Sequence, residues 1–194
     1  MTMFKSKPQN VSGPIVIWRD LFTPKELDAI EAYGDSLMPV RAGTVGVEGN
    51  TDHARITKVA WMERKPKVDW LFAKLEDAVM QINAEFYSFD LFGLEQALQY
   101  TIYDGAEGGH YDWHVDLGGR DTEFRKISLS LQLTDASRYE GCDLTLQAGS
   151  GPFGAERARG ALIAFPSYVL HRVTPIQAGL RKSLVIWVAG PPFR

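Results

Sequence analysis

The sequence has little cysteine, no excess of one charge and no long apolar run. Cys142 is the only cysteine among 194 residues, so no disulfide can form within the chain. The segment from Met1 to Val11 is too polar and too short for a secretion signal. We therefore expect a reducing, cytoplasmic location.

Charge and hydropathy also argue against two classes of partner. The chain has 21 basic and 24 acidic residues, a formal net charge of −3, and neither sign forms a block. Nothing in this pattern favours nucleic acid or an anionic membrane. The most apolar stretch, Leu180 to Ala189, is interrupted by Arg181, Lys182 and Ser183, and a spanning helix needs roughly 20 apolar residues. We expect a soluble protein.

The length and composition suit one domain with a real core. Hydrophobic residues make up 45% of the chain and aromatic residues 11%. A chain of this size with this apolar content forms one compact unit more readily than two small ones. We predict a flexible N-terminus over residues 1–14 and a single domain over residues 15–194.

Two helices are predicted in the first half of the chain. Thr23 to Glu26 forms a capping box with Pro24 at the first helical position, and Gly34 is a natural stop, so the first helix should run from about Pro24 to Tyr33. The second is predicted between Val68 and Phe86, where apolar residues recur at spacings of three and four.

From residue 98 onward the sequence changes to short β-prone runs separated by loops that contain glycine. About seven such strands indicate a sandwich or a barrel, and the two helices before them indicate an α+β fold with helices on the outer face of one sheet. The predicted strands are Ile15 to Trp18, Leu98 to Tyr103, Tyr111 to Asp116, Ile127 to Leu133, Cys142 to Gln147, Ala161 to Phe165, Val169 to Thr174 and Leu180 to Val188.

Two overlapping His-x-Asp pairs are candidates for metal ligands, His110 with Asp112 and His114 with Asp116. Residues two apart on a strand project to the same side, so either pair could bind one ion. Such a pair also arises by chance, and a hydrogen-bonded surface pair is the alternative. His110 follows a Gly-Gly turn, whereas the second pair lies at the end of a strand before a loop. Context favours the second pair.

His171 is the third candidate ligand. It lies in an otherwise apolar, β-prone segment from Tyr168 to Val173, and alone it would more often be a core histidine. With His114 and Asp116 it gives two imidazoles and one carboxylate, the facial triad typical of non-haem iron(II) oxygenases. Zinc is the obvious rival for these ligands.

Arg181 argues against a simple zinc hydrolase. On its strand it shares a face with Ser183, Val185 and Trp187, and no acidic residue lies in that strand. A buried guanidinium requires an anion, and a dicarboxylate could supply one through a bidentate contact, with Ser183 adding a hydroxyl group. The alternative is an arginine that reaches the rim and solvent.

These residues resemble the iron(II)- and 2-oxoglutarate-dependent dioxygenases, in the branch similar to prolyl 4-hydroxylases. Tyr103, a glycine-bearing turn, Tyr111 and the pair at His114 and Asp116 follow one another as in that branch, which selects His114 over His110. The similarity covers about residues 15 to 190. Its other segments are Arg55–Thr57, Trp61–Met62, Asn83, Phe86, Asp90–Leu91, Arg125–Thr134, Tyr139–Leu144, Ala164–Ser167, His171–Pro175, Gly179 and Arg181.

The resemblance implies a double-stranded β-helix (jelly-roll) sandwich of the α+β class, buttressed by the N-terminal helices. It implies a hydroxylase that couples oxidative decarboxylation of 2-oxoglutarate to hydroxylation of a C–H bond. The implied cofactors are iron(II) and 2-oxoglutarate, with dioxygen as co-reactant and ascorbate as a candidate reductant. The implied iron ligands are His114, Asp116 and His171, and the implied groups for the far carboxylate of 2-oxoglutarate are Arg181, Tyr103 and Ser183.

The substrate stays open at this point. A prolyl or other residue of a peptide or protein is one interpretation, and a free amino acid or small metabolite is the alternative. A non-catalytic sandwich that binds a ligand is a second alternative, and a nucleic-acid repair dioxygenase is disfavoured because few basic residues follow His171. Cys142 and Gln132 depart from the family's pattern. Two glycine-bearing segments, Arg41 to His53 and Gln147 to Gly160, are candidate lids.

Overall fold

The computed structural model describes residues 6–42, 53–119, 122–149 and 151–193. These ranges contain two α-helices, α1 (Pro24–Ser36) and α2 (Asp69–Ile82). Their strands are β1 (Gln9–Ser12), β2 (Ile15–Trp18), β3 (Val40–Arg41), β4 (Arg55–Ile56), β5 (Lys58–Met62), β6 (Leu98–Asp104), β7 (His110–His114), β8 (Arg125–Gln132), β9 (Tyr139–Gly141), β10 (Leu144–Ala148), β11 (Gly151–Gly154), β12 (Leu162–Pro166), β13 (His171–Val173) and β14 (Ile176–Ala189).

Helix α1 begins where the capping box predicts and ends three residues later than expected. The Thr23 side chain accepts a hydrogen bond from the Glu26 amide, and the Glu26 carboxylate accepts one from the Thr23 amide. The prediction that Gly34 stops the helix is wrong. A Cβ atom at Gly34 would lie 2.5 Å from the ring of Tyr100, so this glycine lets the helix pack against β6.

Helix α2 confirms the predicted apolar stripe, with Leu71, Phe72, Leu75, Val79 and Ile82 buried. It ends earlier than the predicted Phe86. One π-helical turn, Asn83–Tyr87, follows it, and Ser88 then takes a left-handed conformation with φ of 54°. The apolar repeat continues through this turn, which explains why the sequence alone placed the end too late.

The strands form two sheets in which every recorded pair is antiparallel. The larger sheet has nine strands in the order β1-β2-β12-β8-β14-β6-β5-β3, with β9 paired to β14. The smaller has five strands in the order β11-β10-β13-β7-β4. Gln9–Ser12, which we expected within a flexible N-terminus, pairs with β2 as an edge strand. The predicted sandwich of two sheets is observed.

The larger sheet has two different faces. One face packs on the helices through apolar side chains such as Leu129, Leu131 and Leu184, in one cluster with Leu71 and Leu75 of α2. The other face meets the smaller sheet and carries many polar side chains. That polar face and the smaller sheet enclose the cavity in which the site residues lie.

The two segments proposed as lids are described to different extents. Residues 43–52, most of the first segment, lie outside the described residues. In the second segment β11 forms a hairpin with β10, with Leu146 opposite Phe153. Within the described ranges, neither α-helix has the length and apolar character that crossing a bilayer requires.

Candidate active site

Three predicted ligands meet between the two sheets. Candidate ligand atoms of His114, Asp116 and His171 all lie within 4.8 Å of one another. The Asp116 carboxylate lies 3.5 Å from Nε2 of His171 and 3.9 Å from Nε2 of His114. With metal–ligand bonds of about 2.1 Å, donor atoms roughly 3 to 4 Å apart can share one ion. The donor set therefore fits a divalent transition metal.

Local structure positions each of these side chains. Strand β7 ends at His114 and β13 begins at His171, and the two histidines are directly opposite each other in the register of these strands. Asp116 lies just beyond β7 rather than on it, so the predicted strand from Tyr111 to Asp116 is too long at this end. The amide of Asp116 donates to the carbonyl oxygen of Ser167 at 3.0 Å, which turns the carboxylate inward.

Hydrogen bonds to the backbone orient both imidazoles. Nδ1 of His114 lies 2.7 Å from the carbonyl oxygen of Asp112, and Nδ1 of His171 lies 2.9 Å from that of Val169. A carbonyl oxygen only accepts, so Nδ1 must carry the proton in both rings. Each neutral ring then presents the lone pair of Nε2 to the cluster, as metal coordination requires.

Electrostatics favour the protonation states that bind a metal ion. Burial and the neighbouring His171 lower the pKa of His114 from 6.5 to about 4. Burial alone would raise the pKa of Asp116, but the two histidines and Ser128 lower it by more, so that the net shift is downward. The site therefore presents a neutral imidazole at His114 and a carboxylate at neutral pH.

The competing histidine lies outside this cluster. Nδ1 of His110 is 2.9 Å from the carbonyl oxygen of Gly108, a contact typical of a residue that closes a turn. His110 nevertheless begins β7, where it pairs with Ile56. The strand therefore begins directly after the predicted turn, in which Gly108 has a left-handed conformation.

Arg181 is buried in the wall of the same cavity and is 1% exposed. Its Nε and Nη2 donate to Oε1 of Gln132 at 3.1 and 2.9 Å. Nη1 is buried and makes no hydrogen bond. Burial lowers the pKa of Arg181, but Cys142, Tyr103 and Tyr139 raise it by more. The guanidinium thus stays charged and has donor capacity for an anion.

The other two predicted cosubstrate residues lie beside Arg181. Tyr103 is opposite Arg181 in the β6–β14 register, and the guanidinium carbon lies 5.4 Å from the centre of its ring. Burial raises the pKa of Tyr103 to about 12, against the lowering effect of Arg55 and Arg181, so its hydroxyl group stays a donor. Ser183 is buried in the same cavity wall. The predicted shared face of Arg181, Ser183, Val185 and Trp187 is observed.

Gln132 and Cys142, the two residues that depart from the family's pattern, both lie near Arg181. Gln132 is the partner of Arg181 described above and fixes the plane of that guanidinium. Cys142 has a φ of 57°, a conformation that favours glycine, and its thiol is fully buried. Burial raises the pKa of the Cys142 thiol, and Arg181 opposes that shift. Both departures from the family's pattern therefore lie next to the candidate cosubstrate anchor.

Sequence reasoning missed three groups of the cavity wall. The cavity has a volume of about 320 Å³, and its wall also includes Arg55, Arg125 and Trp61. Arg125 donates to Gln96 at 3.0 Å and lies 3.8 Å from the ring centre of Trp187. Arg55 and Trp61 come from two short strands, β4 and β5, that no alternation in the sequence marked. The signal that could have found all three residues is that they lie in segments that resemble the family.

The comparisons with known proteins agree with this geometry. The family model described as "2OG-Fe(II) oxygenase superfamily" matches residues 98–189, a range that includes all three candidate ligands and Arg181. This match covers just under half of the chain, and over that range the chain is similar to this superfamily, in the branch similar to prolyl 4-hydroxylases. The resemblance stated from the sequence is thereby confirmed.

A curated relative shows the extent of the sequence similarity. A PKHD-type hydroxylase of Synechococcus sp. (strain CC9311) is 37% identical over 90 residues, which cover 46% of this chain and 41% of that protein. The matches to the first three relatives span only 36 to 43% of their lengths.

Two solved structures show the similarity of fold. A prolyl-4-hydroxylase of Pseudomonas putida aligns with a TM-score of 0.73 at 21% identity, covering 92% of this chain and 94% of that one. A prolyl hydroxylase of Trichoplax adhaerens, in complex with a hypoxia inducible factor peptide fragment, aligns with a TM-score of 0.75 at 16% identity, covering 92% and 84%. The predicted jelly-roll fold with N-terminal helices is confirmed.

Proposed function

We propose that this protein is an iron(II)- and 2-oxoglutarate-dependent hydroxylase that acts on a prolyl or other amino-acid residue of a peptide or protein. One observation carries the proposal. A His-Asp-His cluster and a buried guanidinium with an unused donor share one cavity, which is the pairing that a metal-chelating dicarboxylate would join. The peptide in the Trichoplax structure supports a substrate of that class.

Under this proposal, one group of residues binds the metal ion and another binds 2-oxoglutarate. His114, Asp116 and His171 would hold the metal ion through Nε2, a carboxylate oxygen and Nε2. Arg181 would bind the far carboxylate of 2-oxoglutarate, with hydroxyl groups of Tyr103 and Ser183 as further donors. When bound, iron(II) and 2-oxoglutarate supply the oxidising power from dioxygen for C–H hydroxylation, with succinate and carbon dioxide as products.

The protein also controls access and charge around the reacting carbon. The cavity wall combines apolar side chains such as Leu144, Phe165 and Val185 with the few polar groups named above. Such a wall limits the water that reaches a reactive centre and lets charged groups act in a low dielectric. Asp116 supplies the one negative charge of the ligand set.

Turnover tests the proposal. Protein loaded with iron(II) without oxygen is mixed with 2-oxoglutarate, dioxygen and a proline-containing peptide or free proline, and succinate and hydroxylated product are measured. We expect succinate release that requires iron and is lost in His114→Ala. His110→Ala, which removes a histidine of the same strand outside the cluster, should retain it. Equal succinate release by His114→Ala and the wild type would contradict the proposal and favour the ligand-binding alternative.

A further inference from the structure

Arg55 places a second buried guanidinium in the cavity, on the side of the metal ligands. It is 7% exposed and pairs with Tyr111 in the β4–β7 register. Its guanidinium carbon lies 4.6 Å from the ring centre of Tyr111, and that ring stacks on His114 at 3.6 Å with an angle of 15°. The ring of Tyr111 therefore lies between Arg55 and the candidate metal ligand His114. Arg55 lines the same cavity as the ligands and can contact a molecule bound beside them.

Two nitrogen atoms of the Arg55 side chain have no hydrogen-bond partner within the described residues, although the guanidinium also interacts with the side chain of Tyr111. These two atoms, Nε and Nη2, are both buried. The other two guanidinium groups of this wall, the buried Arg181 and the half-buried Arg125, each donate to a glutamine side chain. Buried polar groups without partners are costly, and a buried cation more so. An acceptor from a bound molecule would remove that cost.

The charges in the cavity leave room for another anion. Among the lining residues that the structure describes, Asp116 is the only acidic one. With the metal ion and dianionic 2-oxoglutarate in place, Asp116 and the cosubstrate together offset the metal ion and one guanidinium. Arg55 and Arg125 would remain without a counter-charge. Arg41, at the rim, has an acidic neighbour in Glu107 at 3.9 Å.

The geometry points to a carboxylate as the missing acceptor. A guanidinium presents coplanar donors that match the two oxygens of a carboxylate, and such charge-assisted pairs are the strong hydrogen bonds of proteins. Under the proposed function both ends of 2-oxoglutarate are already bound, by the metal ion and by Arg181. The carboxylate at Arg55 therefore belongs to the substrate.

We propose that Arg55 is a specificity-determining residue that binds a carboxylate of the substrate, so that the substrate is acidic close to the carbon that is hydroxylated. The inference rests on the proposed function and narrows its substrate class. The carboxylate could be an acidic side chain within a peptide or the α-carboxylate of a terminal residue. Both present the same chemistry, and the experiment separates them.

Binding without oxygen tests this inference apart from catalysis. Protein with Mn²⁺ and 2-oxoglutarate is titrated calorimetrically with one neutral and two acidic peptides. These are acetyl-Ala-Pro-Ala amide, acetyl-Ala-Pro-Asp amide and acetyl-Ala-Pro with a free carboxylate. We expect at least one acidic peptide to bind the wild type about tenfold more tightly than the neutral peptide, the size of one added charge-assisted contact.

Variants assign that preference to Arg55. In Arg55→Gln the advantage of the acidic peptide should fall to about twofold or less, and in Arg55→Lys it should be intermediate, because an ammonium lacks the bidentate geometry. The matched control is Arg172→Gln. Arg172 also stacks on an aromatic ring, Trp113 at 4.7 Å, and has an unpartnered buried Nε, but it does not line the cavity. The preference of Arg172→Gln for the acidic peptide should equal that of the wild type.

The outcomes separate this inference from the proposed function. Retained binding of Mn²⁺ and 2-oxoglutarate shows that a variant is folded at the site, and Arg55→Lys carries the test if Arg55→Gln does not fold. A wild type that binds 2-oxoglutarate but no acidic peptide better than the neutral one overturns the inference alone. So does a loss of 2-oxoglutarate binding in Arg55→Gln as large as in Arg181→Gln. A wild type that binds no 2-oxoglutarate overturns the proposed function and the inference together.

Discussion

The two faces of the larger sheet use the same strands for different purposes. Along β8, Leu129 and Leu131 point to the helices, whereas Ser128, Ser130 and Gln132 alternate with them and point to the smaller sheet. Strand β14 repeats this pattern. The helix face is an apolar core, whereas the opposite face buries hydroxyl, amide and guanidinium groups and faces the three candidate metal ligands, which come from the smaller sheet and the segment after β7.

This difference shows where the fold is stabilised and where it keeps functional groups. Burial of apolar surface is the main favourable term in folding, and the helix face carries the larger of the two apolar clusters. Buried polar groups contribute little net stability and are costly when unpaired. The unsatisfied donors of Arg181, on the cavity face of the larger sheet, and of Arg55, on the smaller sheet, both line the cavity, which is therefore the region that a ligand would complete.

The largest effect on stability is expected from the helix face. Leu131 is fully buried and pairs across the strands with Leu162 and Leu184. Leu131→Ala should lower the free energy of unfolding by about 2 to 5 kcal/mol, because it leaves a cavity in a packed core. Urea unfolding measures this loss. Affinity for Mn²⁺ per folded molecule should stay that of the wild type, and a weakened affinity would show that the two faces are coupled.

Acid should destabilise the cavity face of the metal-free protein. The pKa of His114 is about 4 in the folded chain against 6.5 ordinarily. Between these values the unfolded chain binds a proton that the folded chain does not, so stability is lost as the pH falls below about 6.5. Lowering the pH from about 7.5 to about 5 should cost about 2 kcal/mol through this group. In His114→Gln the loss of unfolding free energy over this pH range, measured with urea, should be smaller by about 2 kcal/mol. An unchanged pH dependence would refute the assignment of the low pKa to His114.

The smallest effect is expected next to Leu131 in the sequence. Ser130 lines the cavity and is buried, yet it belongs to the polar face. Ser130→Ala should change the free energy of unfolding by no more than about 1 kcal/mol, because it removes one small polar group without opening a void. The same urea titration compares it directly with Leu131→Ala. A loss as large as that of the leucine variant would mean that the two faces do not differ as described.

The sequence predicted best where local chemistry decides the structure. The capping box at Thr23 and Glu26 fixes the start of α1, and the apolar repeat from Val68 fixes the buried face of α2. Alternation along β14 placed Arg181, Ser183 and Trp187 on one face, as observed. Gly34 failed as a stop signal because its role is tertiary, the close approach of Tyr100.

The site was less predictable where distant segments meet. The triad depended on the resemblance to select His114, since two His-x-Asp pairs fit the local pattern equally. That His171 lies opposite His114 is a matter of strand register across the sheet, which no local pattern encodes. Arg55 lies on a strand of two residues, too short to show any alternation, so its burial in the cavity could not be read from its neighbours.

Metal-dependent binding of 2-oxoglutarate tests the central claim most directly. Without oxygen, wild-type protein and Arg181→Met are titrated with 2-oxoglutarate in the presence and absence of Mn²⁺, and the heat of binding is measured. We predict binding to the wild type that requires Mn²⁺ and weakens about 30-fold or more in Arg181→Met, the loss expected when a buried charged partner is removed. Equal affinity with and without Mn²⁺, or in both proteins, would contradict the account.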